Sequence, residues 1–265
     1  MPKFAANLSM LFTEHPFLER FAAAASAGFR GVEYLSPYEH SEADVAHALR
    51  GAGLEQVLFN VPSGDWAAGE RGIACHPDRV EEFRAGVPKA ITYAKALGCT
   101  RINVLAGKVP DGVSHADAHA ACVSNLRFAA EALEREGIAL VAEAINTYDI
   151  PGFFLSGSQQ AFALFDEVGS KNLTLQYDIY HMQRMEGELA ATLRHNIARI
   201  GHVQLADNPG RHEPGTGEIN YPFLFRVLDD IGYAGWIGCE YVPASGTTSG
   251  LGWATSYLNP PQVGV

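Results

Sequence analysis

Positive charge is scarce in this chain. Its 265 residues hold 19 Lys and Arg against 30 Asp and Glu, a formal net charge of −11. Nucleic acids and anionic membranes are bound through clusters of Lys and Arg, so the deficit argues against both as partners. Cysteine is scarcer still: Cys75, Cys99, Cys122 and Cys239 are scattered, with no CxxC pair and no Cys/His zinc spacing. That excludes a disulfide framework and a zinc finger, and reduced thiols in a cytoplasmic protein are expected. No window approaches the 18 or more uninterrupted apolar residues of a membrane-spanning helix. The opening MPKFAANLSMLFTEHPF lacks the apolar core of a secretion signal. No GxGxxG follows the first strand and no Walker A motif is present, which sets aside a nucleotide-binding open sheet.

What is there is an alternation. Apolar residues make up 47% and charged residues 18%, a globular balance. Short apolar runs read as strands over 4–8, 31–35, 56–60, 101–106, 139–146, 173–179, 202–206 and 236–241. Longer segments with helical spacing lie between them, such as VEEFRAGVPKAITYAKAL and HADAHAACVSNLRFAAEALERE. Gly28, Gly53, Gly98, Gly137, Gly169, Gly201 and Gly232 are expected to end helices before the next strand. Eight such units in this length predict a (β/α)8 TIM barrel, one domain over 1–265. An irregular tail from about 254 to 265 is expected, free to pack on a neighbour, and a homo-oligomer stays open. The long strand-to-helix loops, 61–79, 107–114, 147–157 and 207–220, fall at the C-terminal mouth where barrels hold their chemistry. The first of these has the length of a lid.

Later strands carry polar residues that an apolar strand does not need: Glu143, Asp178 with His181 three residues on, Gln204, and Glu240. A buried carboxylate is costly unless paired, hydrogen-bonded or metal-bound. Three carboxylates and an amide oxygen form a hard ligand set, suited to Mg2+ or Mn2+ rather than zinc. A metal-free carboxylate pair sharing protons is the other reading of the same residues. Asn7, Glu33 and Asn60, at early strand ends, are expected to line the same cavity.

Several long segments carry a resemblance: FAANLSMLF, GDWAAGERGIAC, INTYDIPGF, QYDIYHMQRMEGEL, ADNPGRHEPGTGEINY and GWIGCEY. Over nearly its whole length the chain resembles the hydroxypyruvate isomerase family of xylose-isomerase-like TIM barrels. The resemblance implies metal ligands at Glu143, Asp178, Gln204 and Glu240, with the two glutamates as the acid/base pair. Many sugar epimerases of that superfamily have histidine where this chain has Gln204. The implied reaction converts hydroxypyruvate to tartronate semialdehyde by proton transfer through a metal-stabilised enediolate, without nucleotide or flavin. A 2-oxo-tetronate isomerase and a ketose 3-epimerase are the near alternatives; a metal-dependent nuclease and a non-catalytic binding barrel are remoter ones. A small anionic hydroxy-oxo acid as substrate needs cations or donors, for which Lys108, His181 and Arg211 are the candidates, with His212 and the lid's Arg71 behind them. Trp66, Phe153 and Phe154 are expected to wall the pocket.

Overall fold

Buried parallel strands read as continuous apolar runs because helices cover their outer face and the barrel interior their inner face. Such runs form β1 (Lys3–Asn7), β2 (Gly31–Glu33), β3 (Glu55–Asn60) and β4 (Arg101–Val104). The second half supplies β5 (Ala139–Glu143), β6 (Leu173–Asp178), β7 (Ile200–Leu205) and β8 (Trp236–Cys239). Our computed structural model describes residues 1–258. In it the strands pair in chain order, all parallel, and β8 returns to β1 to close a single-domain barrel.

Around it lie α1 (Arg20–Ser26), α2 (Glu42–Gly51), α3 (Val80–Leu97), α4 (His115–Glu134), α5 (Ser158–Val168), α6 (Ile179–Met185), α7 (Leu189–Asn196), α8 (Tyr221–Asp230) and α9 (Thr255–Leu258). The helix α3 turns one stripe inward, Phe83, Val87, Ala90, Ala94 and Leu97, at the three-to-four spacing of a helix face. Ser114 starts α4 by accepting a hydrogen bond from the Asp117 amide. Six of the seven expected helix-ending glycines take the left-handed conformation; Gly201 does not. It lies inside β7, because the chain leaves α7 through a 3-10 turn, Ile197–Arg199, that runs straight into the strand.

The tail also differs from expectation as far as it is described. Thr248–Ala254 is 3-10 helix and Thr255–Leu258 is helical. Trp253 and Tyr257 pack edge-on or tilted against Phe4 and Phe225 of their own barrel, so aromatic burial within the chain orders this stretch. Residues 259–265 of the expected tail lie outside the described residues. All four cysteines are free and buried. No described helix is long and apolar enough to cross a membrane.

The barrel interior is layered. Ala5, Val57, Leu58 and Val141 form a small apolar floor against Trp236, separate from the large core between sheet and helices. Asn7 and Glu143 stand two residues beyond Ala5 and Val141, and so point inward one layer higher. Polarity begins there.

Candidate active site

Each strand brings one polar side chain to this upper layer: Asn7, Glu33, Asn60, Asn103, Glu143, Asp178, Gln204 and, just past β8, Glu240. All are buried. The strand register sets them level in pairs, Asn7 with Glu33, Asn60 with Asn103, and Asp178 with Gln204. Glu33 is the hub of one side. It accepts from Asn7 Nδ2 at 3.0 Å and from Gln204 Nε2 at 2.7 Å, and pairs with His202 at 2.6 Å. The same Gln204 nitrogen lies 2.5 Å from Glu240 Oε2, while Gln204 Oε1 accepts from Gln176 at 2.6 Å. In this arrangement Gln204 is a donor to two carboxylates. Offering its oxygen to an ion requires the amide to turn over and give up those bonds.

Across the barrel the carboxylates are less satisfied. Asp178 caps α6, its Oδ1 accepting from the Tyr180 amide at 2.8 Å, but its Oδ2 has no partner. Glu143 Oε2 has only a long contact of 3.5 Å to Asn103, and its Oε1 has none. Two buried, unpartnered carboxylate oxygens are expensive in an interior unless something cationic or protic meets them. Both face His181 Nε2, at 3.6 Å from Glu143 and 3.5 Å from Asp178. The three side chains converge as the donors of a metal site do, and the hard oxygens of the two carboxylates fit a divalent cation.

The histidine itself is held in one tautomer. Asn146 Oδ1 accepts from the Asp149 amide at 2.8 Å, which fixes the direction of the side-chain amide. Its Nδ2 then points at His181 Nδ1, 2.7 Å away. A nitrogen that accepts there carries no proton, so the proton of the neutral ring sits on Nε2, facing the carboxylates. Burial keeps the ring neutral by pushing its pKa well below the usual histidine range, with Arg211 and Arg184 adding to the effect. His181 therefore presents a donor.

Burial also pushes the three carboxyls upward. Asp178 rises to about 6 and Glu240 to about 8, each opposed by the positive charge of Arg211. Glu143 rises well above the carboxylate range, through burial and then repulsion from Glu240 and Asp178. Arg211 bonds Glu240 Oε1 at 2.8 Å. Burial alone would lower its pKa, but the surrounding carboxylates outweigh that and raise it. Its Nε is buried without a partner.

A cavity of about 270 Å3 opens above these groups, lined by Glu143, His181, Arg211, Glu240 and the lid's Arg71. Its apolar wall comes from residues such as Leu35, Leu105 and Ile145, with Trp66 overhead. Phe153 and Phe154 are not among the lining residues; Phe154 packs instead on His115 and His119 of α4. Nor does Lys108 reach the cavity. It lines a separate surface pocket beside Glu70 and His76, because the loop after β4 turns outward to meet the lid. His212 bonds the Val242 carbonyl at 2.7 Å and also lies apart. Asn103, Asn146 and Asp149 had no signal in the sequence beyond their place near strand ends.

The profile of the xylose isomerase-like TIM barrel family matches residues 21–257. The chain belongs to that family. It is 56% identical over 257 residues to hydroxypyruvate isomerase of Escherichia coli K12, covering 97% of this chain and all of the relative. A 2-oxo-tetronate isomerase of Cupriavidus necator is 52% identical, over 97% of this chain and 99% of its own length. The crystal structure of AP endonuclease, family 2, from Brucella melitensis superposes with a TM-score of 0.94 at 46% identity, covering 97% of this chain and 99% of the other. Two of these three relatives carry isomerase names.

Proposed function

We propose that this isomerase interconverts hydroxypyruvate and tartronate semialdehyde. The observation that carries the reading is one small cavity in which two buried glutamates, Glu143 and Glu240, meet a neutral histidine donor and a guanidinium. Hydroxypyruvate carries its hydroxyl on C3 and its carbonyl on C2. One glutamate takes a proton from C3, which leaves an enediolate with its charge on the C2 oxygen. The other gives a proton to C2, the hydroxyl proton passes from the C3 oxygen to the C2 oxygen, and the carbonyl ends on C3. Carboxyls with raised pKa values suit both halves of that exchange, as stronger bases when ionised and as proton donors when not. His181 Nε2–H and the unspent Arg211 Nε–H are donors for the oxygens on which negative charge develops.

Glu143 Oε1 and Asp178 Oδ2 are the atoms that would hold a divalent ion, Mg2+ or Mn2+ by the hardness of the set, with Glu240 and a turned Gln204 completing it. When bound, such an ion supplies positive charge to the substrate oxygens. The four unbridged thiols suit a cytoplasmic location.

The direct test is steady-state turnover of Glu143→Gln and Glu240→Gln. Each variant should lose about 10³-fold in kcat, the usual range for a positioned acid or base, while melting near the parent temperature. Full turnover in either variant would remove that glutamate from the reaction. The 52% identity to a 2-oxo-tetronate isomerase favours four-carbon acids as the second reading, and kcat/KM ratios between the two acids decide between them. DNA is disfavoured by the charge of −11.

A further inference from the structure

Two guanidiniums line the catalytic cavity, and they are not equivalent. Arg211 is bound to Glu240. Arg71, half-buried in the lid, has no carboxylate within ion-pair distance among the described residues. Its Nη1 donates to the carbonyls of Glu70 at 2.6 Å and Trp66 at 3.1 Å, and its guanidinium lies 4.0 Å above the Trp66 ring. Those contacts hold the group flat. They leave Nε and Nη2, an edge that can grip a carboxylate with two parallel bonds, without a protein partner among the described residues.

The placement is built into the lid. Gly72, next in the chain, forms a β-bridge with Ala106 beyond β4, and its amide donates to the Ser63 carbonyl at 2.9 Å. Its φ of 107° lies where side chains are rarely found, and a Cβ there would meet the Leu105 carbonyl. Arg71 is thus fixed one residue from a pinned glycine, at the rim of a cavity whose floor is crowded with carboxylates. An anion entering that cavity meets carboxyls below and, above, a guanidinium that has no carboxylate partner among the described residues.

We infer that Arg71, stacked on Trp66, is the specificity-determining residue that selects acid substrates over neutral ketoses by binding their carboxylate. The inference rests on the isomerase reading given above and names the feature that orients the substrate: carboxylate toward the lid, reacting carbons toward Glu143 and Glu240. A neutral ketose offers Arg71 nothing to pair with, so its binding is indifferent to this side chain.

The test uses Arg71→Gln and Arg71→Lys in the full chain, with hydroxypyruvate as the acid substrate, tartronate as a non-isomerisable acid and dihydroxyacetone as the neutral counterpart. Arg71→Gln should raise KM for hydroxypyruvate about 100-fold with kcat changed only a few-fold, the pattern of lost uniform binding of a charged group. Tartronate affinity, read by quenching of Trp66 fluorescence or by calorimetry, should fall by a similar factor. Arg71→Lys should recover part of both losses, and inhibition by dihydroxyacetone should change less than twofold in either variant. Equal losses for the acid and the neutral ligand, or an unchanged tartronate affinity, would overturn the inference. Failure of the parent protein to turn over any hydroxy-oxo acid would instead overturn the isomerase reading, and the tartronate titration would still decide the role of Arg71.

Discussion

Asn146 sits in a stretch, Asn-Thr-Tyr-Asp, that looks like an ordinary turn, yet it governs which nitrogen of His181 bears the proton. An Asn146→Asp carboxylate can only accept. It would draw the proton to Nδ1 and leave a lone pair on Nε2, converting the donor into an acceptor. Turnover should fall about 100-fold, on the scale of losing one acid/base or oxyanion contact. The ring nitrogen shifts of His181 in 15N NMR should exchange their protonation pattern; an unchanged pattern would disprove the tautomer assignment. Legibility at this scale depended on contrast. Glu143, Asp178, Gln204 and Glu240 stood out because a polar group in an apolar strand has to be explained. Lys108 reads as the stronger cation candidate in the sequence and Arg71 as the weaker, yet it is Arg71 that lines the cavity and Lys108 that does not. The lid residue beside Arg71 is held by the Gly72–Ala106 bridge, a contact between distant segments that no local pattern announces.

At the scale of elements, the strands and most helix ends could be read because local rules dictate them: two-sided burial and left-handed glycine. Gly201 shows the limit. It looks like its six counterparts, but the turn before β7 has no use for a cap, and a side chain there would strike Thr174 and Val141 across the sheet. The tail misled for a related reason, since the aromatic partners that order Trp253 and Tyr257 come from β1 and α8. Gly238 in β8 is the most consequential of these cases. It sits level with Gln204, and a Cβ there would collide with the Glu33 carboxyl. Gly238→Ala should therefore cost about 1–3 kcal/mol of stability, the usual range for overpacking. Because Glu33 also holds Gln204, activity should fall further than stability predicts. A melting curve and a kcat from the same preparation check both parts.

Across the whole molecule, three of the four acids gathered at the mouth, Glu143, Asp178 and Glu240, make stability depend on pH and on ions. In the ion-free chain, Asp178 and Glu240 keep their protons up to about 6 and about 8. The unfolded chain has already released its carboxyl protons by then, so the folded state binds more. Their contribution is present at low pH and is lost as pH rises toward those values, at up to about 1.4 kcal/mol per unit for each group. Denaturant titrations from about pH 4 to 8 with a chelator present should show this decline, Asp178 contributing up to about 6 and Glu240 up to about 8. Mg2+ or Mn2+ should raise the melting temperature at pH 8, since a ligand that binds only the folded state stabilises it by mass action. No shift with either ion would count against the ion-binding reading.

The apolar floor of Ala5, Val57, Leu58 and Val141 against Trp236 has a consequence for traffic. It makes the barrel a cul-de-sac, so whatever leaves must retrace the route by which it came. Reactant and product share one doorway, under the Trp66 and Arg71 lintel, and the next molecule waits until the last has gone. A turnover paced by that exchange slows in thick solvent. Raising viscosity with sucrose should lower kcat in proportion, whereas loosening the doorway with Trp66→Ala should weaken that dependence.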